Sequence, residues 1–201
     1  MSVLVGRPAP DFTAAAVLAD GDIVEDFNLK TYLAGSYGVL FFYPLDFTFV
    51  CPSEILAFSN RVPQFAQRNT KVVAISVDSQ YSHYAWRNTA PNDGGLGPVQ
   101  FPMVADITKH IARDYDVLIE DDGVALRGTF LIDQDGIVRH QLVNDLPIGR
   151  NVDEAIRTLD ALQFHEENGD VCPAGWNKGD EGMAANQAGV ATYLEKHAEA
   201  L

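Results

Sequence analysis

Two short apolar runs bracket a segment of helical period, and this arrangement restricts the fold more than any other feature of the chain. Residues 37–43 (Y-G-V-L-F-F-Y) and 71–77 (K-V-V-A-I-S-V) are almost continuously apolar, the pattern of strands buried on both faces. Between them Ile55, Phe58, Val62 and Phe65 recur at spacings of three and four, which marks one face of a helix turned to a core. Strand, helix and second buried strand make a βαβ unit, so the two strands should be parallel with a right-handed crossover. Pro63 falls inside the helical pattern. It is expected to kink the helix, because it removes one backbone bond and crowds the preceding turn.

Alternation continues downstream. Residues 81–88 and 109–114 read as helices, and 126–132 and 137–143 as strands joined at Asp133-Gln134-Asp135-Gly136, an antiparallel hairpin signal. Glu120-Asp121-Asp122-Gly123 marks a turn before them, and 151–166 gives a further helix with Val152, Ile156, Leu159, Leu162 and Phe164 apolar. Beyond residue 167 the pattern dissolves among Gly169, Gly175, Gly179, Gly182 and Gly189. This reads as an arm, so the 201 residues fit one domain over 1–166 with an extension over 167–201.

A formal net charge of -14 argues against nucleic acid or anionic membrane as partners. No run approaches the roughly 18 apolar residues of a membrane span, and residues 1–8 lack the basic start and apolar core of a secretory signal. A cytoplasmic protein is expected. Cys51 and Cys172 are the only cysteines, and in a reducing compartment a pair points to redox chemistry or metal binding rather than a structural staple. There is no C-x-x-C or H-E-x-x-H, and His83, His110, His140, His165 and His197 show no ligand spacing. They read as surface or structural histidines. With no dinucleotide or phosphate loop either, no metal and no cofactor are expected.

Cys51 stands one residue before Pro52, where the first strand gives way to the helix. Proline suits a first helical turn, since its missing N–H would be unpaired there. A cysteine at a helix start meets unpaired N–H groups and the positive end of the dipole, which favour thiolate over thiol. A buried structural cysteine is the plainer alternative for an isolated Cys-Pro. Pro44 and Thr48 weigh against it, because the run P-x-x-x-T-x-x-C over residues 44–51 resembles the peroxidatic motif of the peroxiredoxins. Gly6-Arg7-Pro8-Ala9-Pro10-Asp11-Phe12 resembles the start of that family. Gly128-Thr129-Phe130-Leu131-Ile132-Asp133 resembles its strand following a functional arginine, and Val171-Cys172-Pro173-Ala174-Gly175-Trp176 its resolving-cysteine segment. The resemblance covers nearly the whole chain and is nearest to the typical two-cysteine group, bacterial alkyl hydroperoxide reductase C type.

That resemblance implies an α/β, thioredoxin-like fold: a central mixed β-sheet flanked by helices, with a C-terminal extension. It also implies a thiol-dependent peroxidase that reduces hydrogen peroxide and organic hydroperoxides in antioxidant defence, through a sulfenic acid and an intersubunit disulfide. Ionisation alone would not suffice. An ordinary thiol with a pKa near 8.5 is already a few per cent thiolate at pH 7, so full ionisation gains only about thirtyfold. Donors must also stabilise the charge that moves onto the leaving oxygen. By resemblance Arg127 supplies charge and donors beside Cys51, Thr48 offers its hydroxyl, Pro44 shields the pocket, and Glu54 and Arg150 hold Arg127. On sequence alone Arg127 reads equally as a solvated strand charge and Thr48 as a helix cap.

Further implications concern partners. Thioredoxin or a flavoprotein disulfide reductase would return the electrons. Homodimers would assemble to a decamer, with Ser82, Phe47 to Phe49 and Trp86 as ring contacts, and 137–143 as a sheet edge that either pairs with its own copy or is covered within the subunit. Gly94-Gly95-Leu96-Gly97 resembles a loop that packs on a C-terminal helix and slows unfolding about the peroxidatic cysteine. Tyr193-Leu194, however, stands where easily inactivated members carry Tyr-Phe, so a looser brace and intermediate sensitivity to excess peroxide are expected, unless Tyr193 is an ordinary residue of an amphipathic helix. Two other classes stay open: a holdase whose cysteines are a redox switch, and a disulfide exchanger, which the lack of C-x-x-C disfavours.

Overall fold

In the computed structural model, which describes residues 3–199, the chain divides into two units, Met1–Val152 and Asp153–Leu201. The first begins with a hairpin that the sequence pattern did not announce, β1 (Thr13–Val17) and β2 (Ile23–Asn28), followed by α1 (Leu29–Leu33). The Asn28 side chain caps α1 by accepting from the Thr31 N–H. The βαβ unit then appears as β3 (Tyr37–Phe42), α2 (Cys51–Ala66) and β4 (Thr70–Ser76). After it come α3 (Gln80–Arg87), β5 (Met103–Ala105), α4 (His110–Asp114), the short pair β6 (Leu118–Ile119) and β7 (Val124–Ala125), and the hairpin β8 (Arg127–Ile132) and β9 (Val138–Asn144).

Seven strands form one mixed sheet in the order β2-β1-β5-β4-β3-β8-β9. β3 pairs in parallel with β4 and antiparallel with β8, and β8 with β9 is the expected antiparallel hairpin. Because β3 lies inside the sheet, its alternate side chains serve two cores. Leu40 and Phe42 join Val73, Ile75, Phe130, Ile132 and Ile111 of α4 on one face. On the other, Phe41 stacks on Phe58 of α2 with ring centres 4.2 Å apart. A strand used on both sides must be apolar throughout, which explains the uninterrupted run. β9 closes the sheet, and the N-terminal segment covers its start, with Gly6 N–H donating to Val138 O and Val138 N–H to Arg7 O.

α2 continues past Pro63 to Ala66. Proline has no N–H for the carbonyl four residues earlier. That carbonyl, Ser59 O, instead receives the Gln100 side-chain amide at 3.3 Å, while the Ser59 hydroxyl accepts the Gln100 N–H. The lost helical bond is thus replaced from the β5 approach.

The second unit holds α5 (Val152–Asn168), which begins on the last residue of the first, and α6 (Gln187–His197). Between these helices Val171 and Met183 bridge antiparallel, and Trp176 packs on Phe164 at 4.8 Å. Asn186 caps α6 by accepting from Gly189 N–H, and Glu181 pairs with Lys196 and His197 near its end. Among the described residues no helix is long and apolar enough to cross a membrane.

Candidate active site

Cys51 opens α2 and is fully buried. The N-cap, Val50, supplies no side-chain cap, so Thr48 is not the helix cap that its position allowed. Its hydroxyl oxygen lies 2.8 Å from Leu45 O and 3.0 Å from Cys51 Sγ. A hydroxyl has one proton and two lone pairs. It can therefore accept from a Cys51 thiol while donating to Leu45, or turn its proton toward an ionised sulfur. Pro44, at the start of the same loop, is buried. Phe47 adopts a left-handed φ of 52°, uncommon for a bulky side chain, and its ring sits 5.6 Å from Trp86.

The cations arrive from elsewhere in the sequence. Arg127, first residue of β8, points Nη1 at Cys51 Sγ at 3.4 Å and at Glu54 Oε2 at 2.7 Å, while its Nε donates to Leu146 O at 2.7 Å. It is 3% exposed, which overturns the reading of a solvated strand charge. Glu54 lies three residues beyond Cys51 on the same helix, hence on the same face. Its Oε1 accepts from the Arg150 backbone N–H and Nε, and its Oε2 from Arg150 Nη2 as well as Arg127. Arg150 also donates to Gly128 O and lies over the ring of Phe41. The buried cluster holds two guanidinium groups against one carboxylate. An ionised Cys51 sulfur would bring it to neutrality. Burial alone would raise the Glu54 carboxyl, but the hydrogen bonds and charge of Arg150, with Arg127 adding, outweigh it and hold it below the usual carboxylate range.

Cys172, in the second unit, is half-buried, and its Sγ–H donates to Ala161 O of α5 at 3.3 Å. Both cysteines are unpaired thiols. One turn before Ala161, Arg157 grips Glu154 with two nitrogens at 2.6 and 2.7 Å and donates to Trp176 O at 2.8 Å. Burial pushes the Cys172 thiol up from its ordinary range, and the charge of Arg157 offsets only part of this.

The structure thus brings Cys51, Thr48, Arg127, Glu54 and Arg150 together, with Pro44 at the start of their loop. Of the expected ring contacts, Phe47 and Phe49 are exposed, Ser82 is half-buried and Trp86 is buried, donating to Gly94 O in the Gly-rich loop. Tyr193 lies on α6 with its ring 4.4 Å from His197. Sequence reasoning singled out neither Asp46, which fills an open position of the 44–51 run, nor its partner His83 of α3, read only as a surface or structural histidine; both are buried. Among the described residues, no group of three or more His, Cys, Asp or Glu could hold a metal.

Comparison with known proteins adds to this geometry. Residues 5–141 match the AhpC/TSA family, and residues 161–196 match the C-terminal domain of 1-Cys peroxiredoxin. An alkyl hydroperoxide reductase C from Helicobacter pylori is 54% identical over 97% of this chain and 98% of its own length. Peroxiredoxin-2 from Bos taurus is 51% identical over 96% of each. The reduced 2-Cys peroxiredoxin of Plasmodium vivax superposes with a TM-score of 0.92 at 50% identity, covering 96% of this chain and all of that one.

Proposed function

The chain belongs to the AhpC/TSA family and has the thioredoxin-like fold of its peroxiredoxin neighbours, and we propose that Cys51 is the thiolate with which it reduces hydrogen peroxide and organic hydroperoxides. It is a thiol peroxidase. The observation that carries the site assignment is the pair of donors aimed at one buried sulfur, Thr48 Oγ1 and Arg127 Nη1. In the first step the Cys51 sulfur attacks the nearer peroxide oxygen, an S–O bond forms and the O–O bond breaks. The sulfur becomes a sulfenic acid and the leaving oxygen departs as alkoxide or hydroxide, then takes a proton. Donors held beside the sulfur offset the charge moving onto that oxygen without reorganising. Pro44 helps to keep bulk water from the loop, and Glu54 and Arg150 hold the Arg127 fork.

In the second step a Cys172 thiolate attacks the sulfenic sulfur and expels hydroxide, leaving a disulfide. We assign this thiol to the partner subunit, in a homodimer that assembles further to a decamer. The end position of β9 and the exposed rings of Phe47 and Phe49 support such contacts. Thioredoxin or a flavoprotein disulfide reductase then returns two electrons, and the enzyme works in the cytoplasm. The test is a pair of serine variants. Cys51→Ser should lose all peroxide turnover, whereas Cys172→Ser should consume one peroxide per subunit and stop as sulfenic acid. Multiple turnover by Cys51→Ser with a dithiol reductant would overturn the assignment.

A further inference from the structure

We infer that Asp46 and His83 are positioning residues of the peroxidatic loop, a buried carboxylate–imidazole pair that fixes the backbone carrying Thr48. The inference rests on the peroxidatic reading of Cys51 given above and extends it to Asp46, an open position of the 44–51 run, and to His83, which lies outside that run.

Asp46 stands two residues before Thr48 and is held at both its backbone and its side chain. Its N–H donates to Asp78 Oδ2 at 2.8 Å, and the same oxygen accepts the Ser76 hydroxyl at the end of β4. Its carboxylate accepts the Tyr43 hydroxyl at 2.8 Å, the Ser82 hydroxyl at 2.7 Å, and meets His83 Nδ1 at 2.8 Å. The other His83 nitrogen, Nε2, lies 3.1 Å from Val104 O of β5. A backbone carbonyl only accepts, so Nε2 carries a hydrogen. Nδ1 and Asp46 Oδ2, 2.8 Å apart, are hydrogen-bonded whichever of the two is the donor. Residue 46 is thereby tied to Tyr43 just past β3, to Ser82 of α3, through Asp78 to the end of β4, and through His83 to β5.

Past Asp46 the anchors are fewer: the Phe47 ring meets Trp86, and the Thr48 hydroxyl meets Leu45 O, itself next to Asp46. Phe47 is left-handed and half exposed, and Phe49 is almost wholly exposed. The placement of the Thr48 hydroxyl over Cys51 Sγ therefore depends on where residue 46 is held. A buried polar or charged pair is weak evidence for stability, and its best-attested use is to specify one arrangement among several. Here the arrangement specified is that of a catalytic hydroxyl. Neither Asp46 nor His83 is within hydrogen-bond reach of Cys51, so they act through Thr48.

Two substitutions at His83 separate positioning from packing. Asparagine places its amide nitrogen where Nδ1 was and keeps the bond to Asp46. Glutamine places its own where Nε2 was and keeps the bond to Val104 O instead. In a Cys172→Ser background, Cys51 oxidation by hydrogen peroxide is followed by rapid quench, alkylation of Cys51 by iodoacetamide is followed alongside, and melting temperatures are recorded. Misplacement of a catalytic group by about 1 Å costs on the order of a hundredfold. His83→Gln should therefore slow oxidation by roughly ten- to a hundredfold while alkylation, which needs no Thr48, changes less than about threefold. His83→Asn should keep more of the oxidation rate at a similar melting temperature. Equal oxidation rates in the two variants, or parallel losses of oxidation and alkylation, would overturn the inference. If neither variant folds, Asp46→Asn is read the same way, and a full oxidation rate there overturns it. A parent protein that peroxide oxidises no faster than iodoacetamide alkylates it refutes the peroxidatic reading itself, a result distinct from either failure.

Discussion

Glu54→Gln tests whether the buried charge cluster both stabilises the fold and holds Arg127. Glu54 accepts four hydrogen bonds, three from Arg150 and one from Arg127. Glutamine keeps one acceptor oxygen and turns an N–H2 donor toward guanidinium donors, so about half of these bonds are lost. Bonds to charged groups contribute about 1.5–3 kcal/mol each, and removing one partner of a buried ion pair costs about 3–5 kcal/mol. The sulfur of Cys51, 3.4 Å from Arg127, can take up part of the unbalanced charge, which points to the lower end, about 3 kcal/mol. For a chain of this size that is a fall of roughly 6–12 °C in melting temperature.

The pH dependence has a definite sign. Glu54 is held below the ordinary carboxylate range in the fold, so between that lowered value and about 4.3 the unfolded chain binds the extra proton. Its contribution is fully present above the unfolded value and is lost as pH falls through the folded one. Urea unfolding at pH 7 and at stepped acid pH should show a gap between parent and Glu54→Gln that narrows as pH falls below about 4.5. Oxidation of Cys51 by peroxide should fall by about tenfold or more, because Arg127 keeps only its bond to Leu146 O as a fixed anchor. A gap under about 1 kcal/mol at pH 7, or one that persists unchanged into acid, refutes the reasoning.

Thr48→Val keeps the shape of the side chain and removes the hydroxyl; stopped-flow oxidation of Cys51 should slow by about a hundred- to a thousandfold, with Thr48→Ser restoring most of the rate. For the second step, the Cys172 thiol is raised by burial despite Arg157. Disulfide formation from the sulfenic acid should accelerate with pH through and beyond about 8.5, and Arg157→Gln should move that rise to still higher pH. A resolution rate that is flat in pH for both proteins would contradict this.

What sequence could and could not reveal follows from how far each partner lies along the chain. β3, α2 and β4 were legible because burial on both faces writes an unbroken apolar run and a single buried helix face writes a spacing of three and four. β1 and β2 were not: they read T-A-A-A-V and I-V-E-D-F-N, half exposed; β1 owes its place to pairing with the three-residue β5 far away, Val17 opposite Met103, and β2 to pairing with β1. α6 lies in a small-residue stretch whose apolar face is weak, and none of its side chains is buried. In the site, Pro44, Thr48 and Cys51 share one loop and are visible as a local motif. Arg127 and Arg150 sit 76 and 96 positions from the residues they touch and were reachable only by resemblance. Asp46 fills an open position of the 44–51 run and His83 lies 37 positions on, so nothing in the sequence signalled that the two meet.

The antiparallel pairing of β8 with β3 shows why that distance matters chemically. Gly38 faces Ile132 and Phe41 faces Thr129, so the same register carried two residues further sets Arg127 level with Tyr43, where β3 ends and the Cys51 loop begins. Residues two apart on a strand share a face, so Arg127 points to the side on which Phe41 meets α2. Slipping the register by one residue would turn its guanidinium to the opposite face of the sheet, among Leu40, Phe42 and Phe130. A parallel β8 would leave it at the far end of β3. The helix start presents the sulfur, but the strand pairing delivers the positive charge. The core residues that fix this register are therefore as necessary to the chemistry as the motif that announces it.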